Sequence, residues 1–322
     1  MTGLPKGSRS VLITGGCGFV GINLVTSLAS RCNRIRVFDD LSSGDLRALK
    51  REWSIRKSTT RLEFIRGDVR ERQVVEDALR DVDAVVHLAA QPGVISSIEN
   101  PSFDYSVNVL GTFNVLEAAR NSEIRKVVFA SSNAAAGKQT PPVSETVAPH
   151  PASPYGASKL AAEGYCSAYH EAFGIGTIVL RFANAYGPHS THKTSVIARF
   201  LSLSLSGTPL TIYGDGSQTR DFVHVEDLCQ AILLALAEEA PSGAYQIGTG
   251  VETSVNELIS TIEQIVGRNL PRRHLPARHG EVVRTYLDIS KARALLGYSP
   301  QFSLKEGLEN TYRWFLNRVR TS

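Results

Sequence analysis

Ser10-Val-Leu-Ile-Thr14-Gly15-Gly16-Cys17-Gly18-Phe19-Val20-Gly21 is the stretch that decides the fold. Ser10–Thr14 is short, apolar and β-branched, which predicts a strand, and an apolar pattern of helical period runs from the glycines to Ala29. Glycines 16, 18 and 21 fit GxGxxG, and 15, 18 and 21 fit a GxxGxxG variant. Between a strand and a helix that spacing serves a pyrophosphate: the turn is tight, the backbone approaches the ligand, and the negative charge meets the helix N-terminus. A second strand, Ile35–Phe38, leads to Asp39, 18 residues beyond Gly21. A carboxylate there binds the adenosine ribose hydroxyls and repels a 2′-phosphate, which favours NAD over NADP.

Outward from this stretch the alternation continues. Strands are predicted at Leu62–Arg66, Asp81–Leu88 and Lys126–Ala130, with helical periodicity over Ser102–Arg120. Strand alternating with helix gives an α/β fold, a Rossmann-like doubly wound parallel sheet whose ligand lies across the carboxyl ends of the strands. Gly15–Gly21, Asp39, Asp68, Ala89–Gln91 and Ser131–Asn133 each follow a strand end and so share one edge. Five such loops in register argue against ordinary turns. Past Asn184 the elements shorten, which reads as a smaller α/β substrate-binding lobe. The division is an NAD-binding domain over 1–183, with a return near 221–247, and an interleaved lobe over 184–322.

Ser153-Pro-Tyr155-Gly-Ala-Ser-Lys159-Leu-Ala-Ala-Glu163 reads as a capped helix start, with Tyr155 and Lys159 four residues apart on one face. A neighbouring ammonium favours a phenolate, and moving a phenol from about 10 to near 7 takes about 4 kcal/mol, more than one lysine supplies. The pair alone is also compatible with chance spacing. His87, at a strand end, reads as a buried structural histidine.

With 322 residues, 42% of them hydrophobic, the chain forms a sizeable core; its net charge is +4. The basic run Arg47–Arg61 carries no nucleic-acid motif and reads as a solvated insertion. No stretch is long enough to span a bilayer, and Met1–Ser10 is too polar for a signal peptide. Cys17, Cys32, Cys166 and Cys229 show neither paired nor metal-ligand spacing, so no metal is expected and a reduced, cytoplasmic setting is.

Together, TGGCGFVG, Asp39, Gly67-Asp68-Val69, His87-Leu-Ala-Ala-Gln91, Ser131-Ser132, YGASK, RFANAYGP (181–188), IYGDGSQTRDFVHVEDL (212–228) and YLDISKARALLGY (286–298) resemble the extended short-chain dehydrogenase/reductases, in their NAD-dependent nucleotide-sugar epimerase/dehydratase branch. The resemblance spans nearly the whole chain. It implies that Tyr155 is the catalytic acid/base, with Ser132 hydrogen-bonding the substrate and Lys159 holding the nicotinamide ribose and lowering the tyrosine pKa. Around NAD it implies Gly15, Gly18, Phe19, Val20, Gly21, Asp39, Asp40, Ser42, Ser43, Gly44, Asp68, Val69, Leu88, Ala89, Ala90, Gln91 and Asn108, besides Tyr155 and Lys159. For a UDP-sugar it implies Ser131, Ser132, Asn133, Tyr155, Asn184, Lys193, Val196, Thr211, Tyr213, Arg220 and Arg278, with Tyr213 against the uracil and Asn184, Arg220 and Arg278 on the diphosphate. It also implies a homodimer, whose helices near Ser102–Arg120 and Pro154–Phe173 would present Phe103, Val107, Phe113, Tyr165 and Tyr169.

The branch's dehydratases and decarboxylases carry carboxylates just after the catalytic Ser/Thr. Here Ser132 is followed by Asn133-Ala134-Ala135-Ala136, which leaves Tyr155 as the evident proton-transfer group. One such group suits a 4-epimerase, since the same residue removes and returns the 4-hydroxyl proton. Ala135-Ala136-Gly137 replaces the frequent Val-Tyr-Gly, and Ala183 replaces an aromatic. The expected activity is UDP-sugar 4-epimerisation, with UDP-glucuronate/UDP-galacturonate favoured because Ser131, Ser132 and Asn133 cluster donors at the sugar end and His189, His192 or Lys193 could meet a carboxylate at carbon 6. Thr285, at the family's size-gating position, is small. UDP-glucose/UDP-galactose or an N-acetyl sugar is the alternative; a dehydratase or decarboxylase, or a silent NAD-binding regulator, stands further off. Neither nucleic acid nor membrane is an expected partner.

Overall fold

The computed structural model describes residues 10–122, 124–190, 195–277 and 282–321, with side chains as far as 318. Seven parallel strands, numbered in chain order, form its large sheet: β1 (Ser10–Thr14), β2 (Arg34–Asp39), β3 (Arg61–Arg66), β4 (Ala84–His87), β5 (Lys126–Ser132), β6 (Gly176–Phe182) and β7 (Gly243–Ile247). Their order is β7-β6-β5-β4-β1-β2-β3. β1 lies between β2 and β4, so the winding reverses at the strand that leads into the glycines. A crevice opens at such a reversal, outside the carboxyl ends of the strands.

Strand side chains alternate, so this sheet feeds two cores. Val11 and Ile13 join Leu24, Leu228 and Ile232 on one face, while Leu12 joins Val115, Leu116 and Cys166 on the other. A third core belongs to the smaller lobe. There Phe200, Leu258 and Phe315 meet from the helices Val196–Ser206, Val255–Val266 and Leu304–Thr321, beside the parallel pair Leu210–Tyr213 and Arg272–Leu275.

The stretch expected to return to the large sheet over 221–247 does so only through β7. Phe222–His224 pairs instead with Asn184–Tyr186 in a sheet of its own. The buried carboxylate of Asp221 explains the arrangement. It accepts from the Thr249 and Gly250 amides, the Thr249 hydroxyl and the Leu287 amide, and so binds three segments together. The basic run is also more ordered than an insertion. Asp45 caps the helix Leu46–Ser54 by accepting from the Ala48 amide, and Ala48 and Leu49 enter the core while the cations face solvent.

Candidate functional site

The loops at the sheet's carboxyl edge are held mostly by backbone. Gly15 donates to the Phe38 carbonyl at 2.8 Å. A Cβ on Gly21 would lie 2.4 Å from the Gly15 oxygen, and one on Gly15 would lie 2.7 Å from the Ala89 nitrogen, so no larger residue fits at either place without a shift. Gly18 begins the helix Phe19–Leu28 with no side-chain cap, leaving its dipole turned toward the crevice. Asp39 is buried and accepts from the Cys17 and Leu41 amides, each at 2.9 Å. Burial pushes its carboxyl up against these two bonds. Asp40 accepts from the Ser42 amide and hydroxyl, and Ser42, Ser43, Gly44, Arg47, Lys50 and Arg318 rim an open cavity of about 760 Å³. Asp68 is engaged by Arg70 at 2.5 Å, which holds its carboxyl below the usual range, and the Val69 carbonyl accepts from Asn114.

Behind these loops runs a buried polar chain. The Thr112 hydroxyl donates to the Asn108 carbonyl at 2.6 Å, so it accepts from His87 Nε2–H at 3.1 Å. His87 Nδ1 then accepts from the Thr14 hydroxyl, whose oxygen accepts from the Ala89 amide. The ring is thereby fixed neutral, and burial, together with the Lys159 charge, pushes it down to about 3. It is a structural histidine, as the strand-end position indicated. The helix carrying Asn108 widens into one π-helical turn, Ser106–Leu110, a feature common at functional sites. Asn108 accepts from the Gln91 amide and donates to Asp104, Gln91 and Ser158, linking the loop Leu88–Gln91 to the helix Pro154–Phe173.

That helix has the predicted start: Ser153 caps it by accepting from the Gly156 amide, and Pro154 fills its first turn. A Cβ on Gly156 would sit 2.4 Å from the Ala134 oxygen, so glycine lets the helix close onto the turn after Ser132. Tyr155 and Lys159 share a face, with Lys159 Nζ 5.9 Å from the phenol ring centre and donating to the Ala130 carbonyl at 2.9 Å. Ser132 lies beside Tyr155; its hydroxyl accepts from the Ala134 amide at 3.2 Å and reaches Asn133 Oδ1 at 3.4 Å. The expectation that Lys159 depresses the phenol is not met by the chain alone. Burial outweighs the opposing effect of the neighbouring Ser132 hydroxyl and pushes Tyr155 up to about 12, while burial draws Lys159 down to about 8.

Two expected substrate contacts need correction. Ser131 and Ser132 are neighbours on β5, so their side chains take opposite faces. The Ser131 hydroxyl donates to buried Glu163, itself paired with Arg181 at 2.7 Å, and so does not join the donors at the sugar end. His189 is engaged within the fold instead. It lies 3.5 Å from Glu52 and 4.8 Å from the Trp314 ring, and burial, then Arg318 and Arg51, push it down to about 4. Asn133 opens the turn Asn133–Ala135 after β5. Asn184 begins Asn184–Tyr186, Val196 opens its helix, Thr211 and Tyr213 lie on one short strand, and Arg220 ends Thr219–Arg220. Lys193 and Arg278, like His192, lie outside the described residues.

Sequence reasoning missed Asp104, Ser158 and the Glu163–Arg181 pair. The only signal was a charge or hydroxyl among apolar and small residues, on a helix face for the first three and on β6 for Arg181.

A parallel sheet with a glycine cradle at its winding reversal, and Tyr155-Lys159 beside Ser132, defines a nucleotide-binding enzyme of the short-chain dehydrogenase/reductase class. Residues 11–248 match the NAD dependent epimerase/dehydratase family, and the chain belongs to it. It is an enzyme of that family, and its cofactor is NAD. A putative UDP-glucose 4-epimerase of Methanocaldococcus jannaschii is 39% identical over 97% of this chain and 100% of its own. The crystal structure of a Thermotoga maritima UDP-glucose 4-epimerase with UDP-glucose superposes with a TM-score of 0.89 at 34% identity, covering 96% of this chain and 99% of that one. A Bacillus cereus UDP-glucuronic acid 4-epimerase with UDP-glucuronic acid and NAD gives 0.88 at 32%, with the same coverage.

Proposed function

We propose that the chain is a UDP-sugar 4-epimerase acting on the neutral pair UDP-glucose and UDP-galactose. One observation carries the epimerase reading: Tyr155 stands beside Ser132 and Lys159, while the turn after Ser132 holds Asn133 and Ala134 where a dehydratase or decarboxylase carries a carboxylate. Asp104 and Glu163, the carboxylates whose charge acts on Lys159, are buried and engaged by Asn108 and Arg181. Tyr155 is then the group that takes the 4-hydroxyl proton and returns it after the 4-keto sugar has turned over, with Ser132 holding the hydroxyl. Lys159, fixed by the Ala130 carbonyl, offers its remaining protons to a ribose. NAD, when bound, would take the hydride from carbon 4, return it to the opposite face, and add a pyridinium charge to the site. The glycine cradle, Asp39 and the Asp40–Gly44 loop are the residues we assign to hold it.

The neutral sugar is favoured over the hexuronate because two supports of the latter are gone: His189 is turned to Glu52 and Trp314, and the Ser131 hydroxyl to Glu163. Proton NMR on a panel of UDP- and dTDP-sugars tests the reading, with interconversion of UDP-glucose and UDP-galactose expected. A 4-keto-6-deoxy product or loss of carbon dioxide would replace it.

Assembly belongs to the same proposal. Tyr169 is buried with its hydroxyl on Glu117, and Phe113 packs edge-on against Tyr165 and Tyr169, so the outward face differs from the expected one. It exposes Tyr105 (60%), Leu110 and Tyr165, apolar surface suited to a two-fold partner. A homodimer mass by light scattering is expected at micromolar concentration; a monomer would refute it.

A further inference from the structure

Asp104 has no part in the roles assigned so far. It lies on the short helix Pro101–Tyr105, packed on Pro154–Phe173, and is 1% exposed, as Lys159 is 3% exposed. Removing a carboxylate and an ammonium from water is costly unless each is compensated. Two buried carboxylates act on Lys159 through their charge, neither within 4 Å of its ammonium; of these Glu163 is already met by Arg181, at 2.7 and 3.0 Å, and by Ser131. Asp104 is held by a neutral donor, the Asn108 amide at 2.8 Å. The same amide reaches Ser158 at 3.3 Å, and the Ser158 hydroxyl donates to the Tyr155 carbonyl at 3.0 Å. From this packing we infer that Asp104 is a positioning residue of the site: the buried counter-ion that keeps Lys159 charged, tied through Asn108 and Ser158 to the turn that presents Tyr155.

The inference rests on the roles proposed above for Lys159 and Tyr155. The other groups around the ammonium do not replace the carboxylate. His87, behind it on β4, is neutral; Cys166, one helical turn past Glu163, is a thiol pushed up to about 12 by burial; Glu163 acts on Lys159 after Asp104, its charge shared with Arg181; Tyr155 is a protonated phenol. Burial draws Lys159 down, and Asp104 comes first among the charges that oppose it. The same charge raises Tyr155. Removing it therefore lets both groups lose their protons at lower pH, moving the active range toward acid as a whole.

The test is the affinity for NAD from pH 6 to 9.5 by calorimetry on the full chain, with turnover alongside. Asp104→Asn keeps the acceptor for Asn108 and removes only charge. Its NAD affinity is expected to fall away at lower pH than the parent's, so that the ratio of Kd at pH 8.5 to Kd at pH 6.5 grows by about threefold or more. Asp104→Glu should restore the parent profile, and on a Lys159→Gln background Asp104→Asn should leave the profile unchanged. Equal weakening at every pH by both Asp104 variants would overturn the inference, as would failure of both to fold. Folding of the glutamate variant alone, with the parent profile, would uphold the need for charge. Absence of epimerisation by the parent, with the NAD shift intact, would remove the proposed function and leave Asp104's role standing; epimerisation with no shift would do the reverse.

Discussion

The glycine loop after β1 and the loop opening at Gly187 both follow a strand and both hold glycine, but different things shape them. In the first, every constraint is local or comes from backbone at the ends of the two strands beside β1: Gly15 bonds Phe38 and lies against Ala89, and Gly21 packs on Gly15. In the second, Gly187 passes within reach of Val225, the Pro188 carbonyl accepts from Asn23, and His189, in a left-handed conformation, is caught by Glu52 and Trp314. Residues 165 positions apart decide where that loop goes. A cradle written in the backbone is legible in a short motif; a loop placed by distant side chains is not.

The sharpest way to break the comparison is at the cofactor edge. Tyr155→Phe removes the phenol hydroxyl beside Ser132 and changes nothing in the loop at Gly187. Turnover should fall by roughly 10²–10⁴-fold, the range of a lost general acid/base, with NAD affinity within about twofold of the parent's. Comparable activity in the variant would move proton transfer to another group.

Next in size is Gly21→Ala, which tests whether backbone approach alone builds the cradle. Its Cβ would lie 2.4 Å from the Gly15 oxygen and 2.5 Å from the Gly16 Cα. The loop has to shift, and NAD affinity measured by calorimetry should fall by at least about tenfold, or 1.4 kcal/mol. Unchanged affinity would show that the cradle tolerates side-chain bulk.

This contrast also marks how far the sequence reaches. The first five parallel strands, the helix cap at Ser153 and the face shared by Tyr155 and Lys159 follow from period, capping and spacing; β6 and the strand order do not. Strand alternation could have separated Ser131 from Ser132, since neighbours on a strand take opposite faces, but the buried Glu163 that receives Ser131 was visible only in three dimensions. The phenol's upward shift is hidden from spacing for a related reason. Helical spacing reveals the ammonium, whereas desolvation depends on what packs around the ring. Phe222–His224 left the large sheet because Asp221 gathers amides from residues 249, 250 and 287, beyond any local pattern.

A smaller effect belongs to the distant-contact loop. Burial, then Arg318 and Arg51, hold His189 at about 4, below the about 6.5 of an unfolded chain. The unfolded state therefore takes up a proton that the fold excludes. Stability from this site is present above pH 6.5 and is lost as pH falls toward 4. His189→Asn, a residue that tolerates positive φ, should flatten the pH dependence of the urea midpoint by about one proton in that window. His87 and His224, also held low by burial, keep the remaining slope. An unaltered slope would mean that His189 is protonated in the fold.

The smallest expected effect decides whether that loop residue has any part in choosing the sugar. A uronate carboxylate needs a cation or strong donor at carbon 6, and a charge-assisted bond there is worth about 1.5–3 kcal/mol, more than tenfold in preference. His189 is neutral, buried, and turned toward Glu52 and Trp314, so it cannot provide that bond without leaving its site. The ratio of kcat/KM for UDP-glucuronate to that for UDP-glucose should therefore stay within about twofold of the parent value in His189→Asn, and the parent itself should prefer the neutral sugar. Lys193→Ala sharpens the result, because Lys193 is the loop cation the hexuronate reading would still need. A parent preference for UDP-glucuronate that collapses in Lys193→Ala, and not in His189→Asn, would restore the uronate as substrate and assign its recognition to the second half of the loop.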